Sequence, residues 1–132
     1  MRRATAVILL LAAAITAAGC GNPTLRPYGD VRGTAKCLEG QGYRVRTQFP
    51  DLVASTASRG ALRASKNYNL LTVAFGEDAR EAASLRRAYA RYMSKRRARH
   101  IRDITEIERN ALLLWTTTPS SRQLDAVVGC LR

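Results

Sequence analysis

The sequence predicts an α+β domain in which an antiparallel or mixed sheet of about four strands carries helices on one face, in two layers. Three observations support this class. The periodic segments follow the order helix, strand, weak segment, strand, long helix, hairpin and helix. The chain has 132 residues, which leaves room for a single domain of roughly 100 residues. Hydrophobic residues make up 46% of the sequence, enough for a packed core.

A helix is expected at the start of the folded domain, which we place at residues 30–132. Asp30 is a good N-cap, because its carboxylate can accept hydrogen bonds from the first free N–H groups of a helix. Val31, Ala35 and Leu38 follow at a spacing that puts all three on one helix face. That face is predicted to be buried.

Three segments are expected to be strands before the long helix. Residues 43–49 alternate between apolar and polar side chains, which is typical of a strand with one buried face. Pro50 and Asp51 fit the start of a short helical turn, and residues 60–65 fit a weak strand that leads into a turn. Residues 68–75 fit a further strand with alternate apolar positions, and a glycine follows it.

Residues 77–98 are expected to form the longest helix. Acidic residues in its first turn and basic residues in its last turn complement the helix dipole. Its apolar face follows helical spacing and is predicted to belong to the core. That face consists of Ala82, Leu85, Tyr89, Tyr92 and Met93.

The end of the chain is expected to form a hairpin and a last helix. Residues 104–108 and 111–116 fit the two arms of the hairpin, and the second arm is apolar on both faces, which is typical of an inner strand. Ser120 and Gln123 fit a capping box at the start of a helix. The apolar stripe of that helix consists of Leu124, Val127, Val128 and Leu131.

The N-terminus is predicted to be a signal peptide that spans residues 1–19. Arg2 and Arg3 form a short cationic start, and the uncharged stretch of fifteen residues that follows ends in small residues. A membrane-spanning helix needs about 20 apolar residues, so this stretch is short for a span. A short permanent anchor is the alternative.

The run Ala17-Ala18-Gly19-Cys20 resembles the lipobox of bacterial lipoproteins, in which small residues precede a cysteine. The resemblance implies that the Cys20 thiol receives a diacylglyceryl group and that cleavage makes Cys20 the first mature residue. Ala17 stands where leucine is usual in that motif. Ordinary secretory cleavage after Gly19, which would release a soluble protein, is the alternative.

The three cysteines of the chain, Cys20, Cys37 and Cys130, cannot all pair with one another. If Cys20 carries lipid, the other two form an even set in an oxidising compartment, where a disulfide persists. Cys37 falls in the first predicted helix and Cys130 in the last. We therefore predict a Cys37–Cys130 disulfide between the terminal helices, with two unpaired buried thiols as the alternative.

Residues 20–29 are predicted to be a lipidated tether, because they contain two prolines and two glycines and show no periodicity. The expected location is the extracytoplasmic face of the cell membrane, where the lipid on Cys20 holds the protein. Two acyl chains are physically important, since one chain alone anchors a protein only marginally.

Basic residues exceed acidic ones by 22 to 10, and 19 of the basic residues are arginine. A solvated face in an arginine-rich protein explains part of this excess. Contact with anionic lipid headgroups or envelope polyanions is the functional alternative. Nucleic acid is not expected as a partner, because the aromatic residues fall on the core face rather than among the cations. The candidate contact residues are Arg87, Arg91, Lys95, Arg96, Arg97 and Arg99.

The sequence offers no catalytic motif, and we predict neither a metal site nor a cofactor. His100 is the one histidine and lies in a basic stretch, and no cysteine pair has metal-ligand spacing. No serine lies in a nucleophile-elbow motif. Glu77 with Glu81 and Glu106 with Glu108 are carboxylate pairs that a helix start and a solvent-facing strand account for.

As a whole, the chain resembles the small lipoproteins of high-GC Gram-positive bacteria, which combine a lipobox, a short tether and a compact domain. The resemblance carries no active-site motif to this sequence. We expect a non-catalytic binding or interaction module at the cell envelope. The alternatives are an accessory subunit of a membrane assembly and an envelope enzyme whose site has no recognised motif.

Overall fold

The computed structural model describes residues 25–132, so the predicted signal peptide and Cys20 lie outside the described residues. Within this range no helix is long and apolar enough to cross a bilayer. The described chain forms strands, helices and one short 3-10 helix. In chain order they are α1 (Val31–Gly40), β1 (Arg44–Arg46), the 3-10 helix (Ala54–Thr56), β2 (Ala61–Lys66), β3 (Asn69–Phe75), α2 (Ala79–Tyr92), α3 (Lys95–Ala98), β4 (Thr105–Glu108), β5 (Ala111–Trp115) and α4 (Ser121–Cys130).

The strands form one sheet in the order β1-β2-β3-β5-β4, and every neighbouring pair is antiparallel. The predicted α+β class is confirmed. The sheet has five strands where about four were expected, because the weak segment is a full strand, Ala61–Lys66, and the short arm before Arg109 also pairs. The two inner strands, β3 and β5, are almost entirely buried.

Helices cover both faces of the sheet, which differs from the two-layer arrangement predicted from the sequence. Leu71, Val73 and Phe75 point to one face of β3, where α1 and α4 pack. Ala74 on the same strand, and Leu112 beside it on β5, belong to a second cluster under α2. The physical reason is that strands apolar on both faces need cover on both sides.

The first face is closed by α1 and α4. Asp30 caps α1 by accepting a hydrogen bond from the Gly33 N–H, as predicted. Ser120 and Gln123 form the predicted capping box of α4. The predicted disulfide is confirmed: Cys37 in α1 and Cys130 in α4 are bonded, with their Cα atoms 5.4 Å apart. The two chain ends of the domain are therefore covalently joined on this face.

The strand predicted over residues 43–49 pairs only over Arg44–Arg46. Phe49 does not continue the strand, and its ring lies under the Arg63 guanidinium group at 4.6 Å. Pro50 follows and has no N–H for a sheet ladder. The chain therefore leaves the sheet here and folds over the α2 side.

The long helix predicted over residues 77–98 is two helices. Asp78 caps α2 by accepting hydrogen bonds from two backbone N–H groups, but the helix ends at Tyr92. Met93 is extended, and the Ser94 side chain caps the single turn of α3. Tyr92, predicted to be core, is 73% exposed, because the break takes it past the edge of the covered sheet.

The chain enters the domain at the end of the sheet where β3 finishes. Buried Asn110 accepts a hydrogen bond from the Tyr28 N–H and donates to the carbonyl oxygens of Tyr28 and Gly76. The Gly29 N–H donates to the Arg132 carbonyl, so both ends of the described chain meet here. The predicted hairpin turn at Arg109 and Asn110 thus also holds the incoming chain.

Loss of the disulfide is expected to lower the melting temperature strongly. The bond joins residues 93 positions apart, and for such a loop the chain-entropy estimate is about 4–5 kcal/mol. Replacing Cys37 and Cys130 together by alanine should lower the melting temperature by at least about 10 °C, measured by circular dichroism. Reducing the unaltered protein should give a similar shift, and a change of only a few degrees in both would contradict the prediction.

Candidate functional site

The six cations singled out from the sequence lie together on the outer side of α2 and on α3, and we call them the basic surface. All six are exposed. In the described part of the chain none of them takes part in a salt bridge. The structure therefore places these charges in solvent, free to meet an external anion. The members are Arg87, Arg91, Lys95, Arg96, Arg97 and Arg99.

The break between α2 and α3 concentrates this charge. Three of the four residues of α3 are cationic, and the helix has only one turn in which to separate them. The Ser94 cap stabilises that turn through the Arg97 N–H. Because three cations follow one another on this turn with no carboxylate among them, we expect a positive potential over this surface.

The basic surface lies at the far end of the domain from the incoming chain. Tyr28 is bound beside Gly76, next to the start of α2, while α3 follows the other end of that helix. The 14 residues of α2 span about 20 Å. The four cations that follow α2 therefore lie about 20 Å along the helix from the point where the chain enters, and Arg87 and Arg91 lie closer to that point.

His100 has an acidic neighbour that sequence reasoning did not identify. Its Nδ1 lies 3.1 Å from a carboxylate oxygen of Asp103, and both side chains are largely exposed. An exposed pair of this kind contributes little to stability. Across residues 25–132 no three histidine, cysteine, aspartate or glutamate side chains are close enough together to hold a metal ion.

A cleft of about 430 Å³ opens on the α2 side of the sheet, next to the basic surface. Its floor is a cross-strand row of Arg63, Thr72 and Leu114 on three adjacent strands. Side chains from the end of α2 and from the loop before the 3-10 helix form its walls. Arg97 of the basic surface borders it, and so do Asp51, Leu52, Leu70, Tyr89, Tyr92 and Met93.

Asp51 is the polar centre of this cleft, and its carboxylate is fully engaged by its own chain. One oxygen accepts hydrogen bonds from the N–H groups of Val53 and Ala54. The other accepts from the Arg63 guanidinium and from the Tyr89 hydroxyl, both at 2.9 Å. A single carboxylate therefore joins the loop, β2 and α2.

The Tyr89 hydroxyl acts as a permanent donor in this cluster. Burial and the nearby negative charge of Asp51 raise the pKa of Tyr89 far above its ordinary value. The hydroxyl stays protonated over the physiological range. The cluster is thus a structural clamp in which the Tyr89 hydroxyl donates to the Asp51 carboxylate.

The sequence interpretation missed the cluster of Asp51, Arg63 and Tyr89. A tyrosine on an apolar helix face is a signal, because a buried hydroxyl needs a hydrogen-bond partner. The identity of the partner was not readable, since Asp51 is 38 residues away in the chain. Of the other predicted site residues, Cys37 and Cys130 are brought together, and Cys20 lies outside the described residues.

No protein-family model, curated protein or solved structure matches this chain.

Replacing Asp51 by asparagine is expected to destabilise the domain by about 2 kcal/mol, because Arg63 loses its ion pair and Tyr89 its strong acceptor. Tyr89→Phe, which removes one hydrogen bond, should cost about 1 kcal/mol. Urea unfolding of the two variants and the unaltered protein measures both effects. A loss for Asp51→Asn no larger than that for Tyr89→Phe would show that the carboxylate is not the centre of the clamp.

Proposed function

We propose that this chain is a non-catalytic module, held at the extracytoplasmic face of the cell membrane by lipid on Cys20, that engages anionic envelope surfaces. The observation that supports it most is the basic surface, six exposed cations with no ion pair among the described residues. A cation already paired inside the protein would have to lose its partner before it could bind an external anion. These cations need no such exchange.

The energy available to such a surface is large enough for binding. Each lysine or arginine near an anionic membrane surface contributes about 1 kcal/mol. The attraction acts over about 8–10 Å at ordinary ionic strength, so the cations must come close to the headgroups. Six cations on one side of the molecule can do so together.

The proposed tether is long enough to allow this contact. Eight peptide steps separate Cys20 from Tyr28, where the chain becomes fixed to Asn110, and they reach at most about 28 Å. The four cations of the basic surface that follow α2 lie about 20 Å from that fixed point along the helix, and Arg87 and Arg91 lie nearer to it. A domain that lies on its side can therefore place the basic surface on the membrane that holds its lipid.

The unlipidated domain is expected to bind vesicles that contain anionic lipid, to release them as salt rises to physiological strength, and to ignore neutral vesicles. Replacing Arg96, Arg97 and Arg99 together by glutamine should weaken binding without unfolding, because all three are exposed. Sedimentation with vesicles measures the bound fraction.

A matched control removes the same charge from the other side of the sheet. Arg32, Lys36 and Arg122 are exposed on α1 and α4, and their replacement by glutamine should leave most of the binding in place. Equal losses in the two triple variants would show that net charge alone governs binding. Equal binding to anionic and neutral vesicles at low salt would contradict the role of the basic surface.

Cys20 is expected to be diacylated and to be the mature N-terminus, because the residues before it resemble a lipobox and the other two cysteines are paired. Mass spectrometry of the membrane fraction of the native host tests this. Cys20→Ser should move the protein from the membrane fraction to the medium or soluble fraction. An unmodified Cys20 in the mature protein would contradict the proposed anchor.

A further inference from the structure

The cleft exists because α2 stops before it has covered the sheet. Tyr89 is the last buried residue of that helix, and beyond it Leu70 and Leu114 face the space that a longer helix would fill. The helix predicted to run to residue 98 would have covered this area. Its early end leaves a concavity over this part of the sheet, where Leu70 is partly buried and Leu114 is 9% exposed, and Arg97 of α3 borders the concavity.

The rim of the cleft carries an unusual amount of exposed apolar surface. Leu52 and Tyr92 are each 73% exposed, and they belong to the four large apolar side chains that are exposed within residues 25–132. Both border this one cleft, together with partly buried Met93. Apolar side chains gathered around a concavity gain free energy when an apolar body displaces the water there.

The charged groups that border the cleft are one carboxylate and two guanidinium groups. The carboxylate of Asp51 is already occupied by four donors of its own chain. Arg97, by contrast, is exposed and forms no ion pair within the described residues. The cleft therefore has one uncompensated positive charge at its edge and no free negative charge.

A further cation adds to this asymmetry from the neighbouring edge strand. Arg46 is the register partner of Arg63, so the two side chains project from the same face of the sheet. Val45 between Arg44 and Arg46 packs on the other face. The α2 side of the outer strands is thus basic next to Arg63, although Arg46 does not itself border the cleft.

We propose that this cleft binds a small amphiphile with one anionic head group, a carboxylate or a phosphate, and an apolar body. The head group pairs with Arg97, and the apolar body lies over Leu70 and Leu114 between Leu52 and Tyr92. The volume of about 430 Å³ falls within the range of small-molecule sites, roughly 300–1,000 Å³. A cationic amphiphile is rejected, because Asp51 has no free acceptor to offer it.

The test compares four ten-carbon probes by isothermal titration calorimetry, below their aggregation concentrations: decyl phosphate, decanoate, decanol and decyltrimethylammonium. The protein is residues 20–132 with Cys20→Ser, which contains every residue of the described fold. We expect one saturable site for decyl phosphate and decanoate, with affinity at least about tenfold above that for decanol, since one charged contact contributes about 1.5–3 kcal/mol. The phosphate and carboxylate arms show which head group the site prefers.

Two pairs of variants locate the site, and each pair contains its own control. Arg97→Gln should weaken the binding of the anionic probes at least about fivefold, because one hydrogen bond to a charged group is lost. The affinity for decanol should not change. Arg99→Gln removes the same charge from the basic surface but does not border the cleft, so it should have little effect. Leu52→Asn should weaken every probe with an apolar chain, whereas Leu25→Asn, at an exposed position away from the cleft, should not.

Three results would overturn the inference: anionic probes that bind no better than decanol, equal effects of Arg97→Gln and Arg99→Gln, or no effect of Leu52→Asn. The cleft and the vesicle contact are tested separately. Because Arg97 belongs to both sites, the vesicle test that addresses the proposed function alone replaces Arg96 and Arg99 by glutamine and keeps Arg97, since neither of these two residues borders the cleft. If the Arg99→Gln protein binds decyl phosphate and decanoate, the cleft proposal is supported, whether or not the protein binds anionic vesicles.

Discussion

Burial of both faces of β3 and β5 is the constraint on which the rest of the structure depends. Val73 and Leu113 fill one side of these paired strands, and Ala74 and Leu112 fill the other. A sheet centre of this kind cannot be stable with a solvated face, because each exposed apolar face would forfeit the free energy of its burial. The helices must therefore be divided between the two faces of the sheet: α1 and α4 pack on one face, and α2 packs on the other.

The two sides meet this requirement differently, and the difference produces the candidate sites. On one side α1 and α4 close the core completely, and the Cys37–Cys130 bond fixes them to each other. On the other side a single helix, α2, covers only part of the sheet. The loop that contains Asp51 supplies the remaining cover, and its carboxylate ties that loop to Arg63 and Tyr89. The side with the disulfide thus has a closed core, and the side held by the Asp51 carboxylate leaves a cleft.

The features that depend on local chemistry were predictable from the sequence. The caps at Asp30 and Ser120, the hairpin around Arg109 and the disulfide follow from residue types and short spacings. The covering of both faces was not predicted: the arm at residues 111–116 was recognised as apolar on both sides, but the helices were placed on one face. One-sided helices are incompatible with such a strand. The end of α2 was not predictable, because Tyr92 and Met93 continue its apolar stripe. Only the tertiary structure shows that the helix ends at Tyr92 and that this side chain is exposed.

The break between α2 and α3 produces both the cleft and the cluster of cations beside it. Because the chain becomes extended at Met93 and restarts at the Ser94 cap, the sheet beyond Tyr89 stays open, and the cations that follow are gathered on a separate turn beside the opening. A continuous helix would have covered the floor of the cleft and spread the same charges along a solvated face. Arg97 belongs to both the basic surface and the cleft for this reason. An apolar recess next to unpaired cations is complementary to molecules that join an apolar body to an anion, which are also the building blocks of the membrane to which the chain is proposed to be tethered.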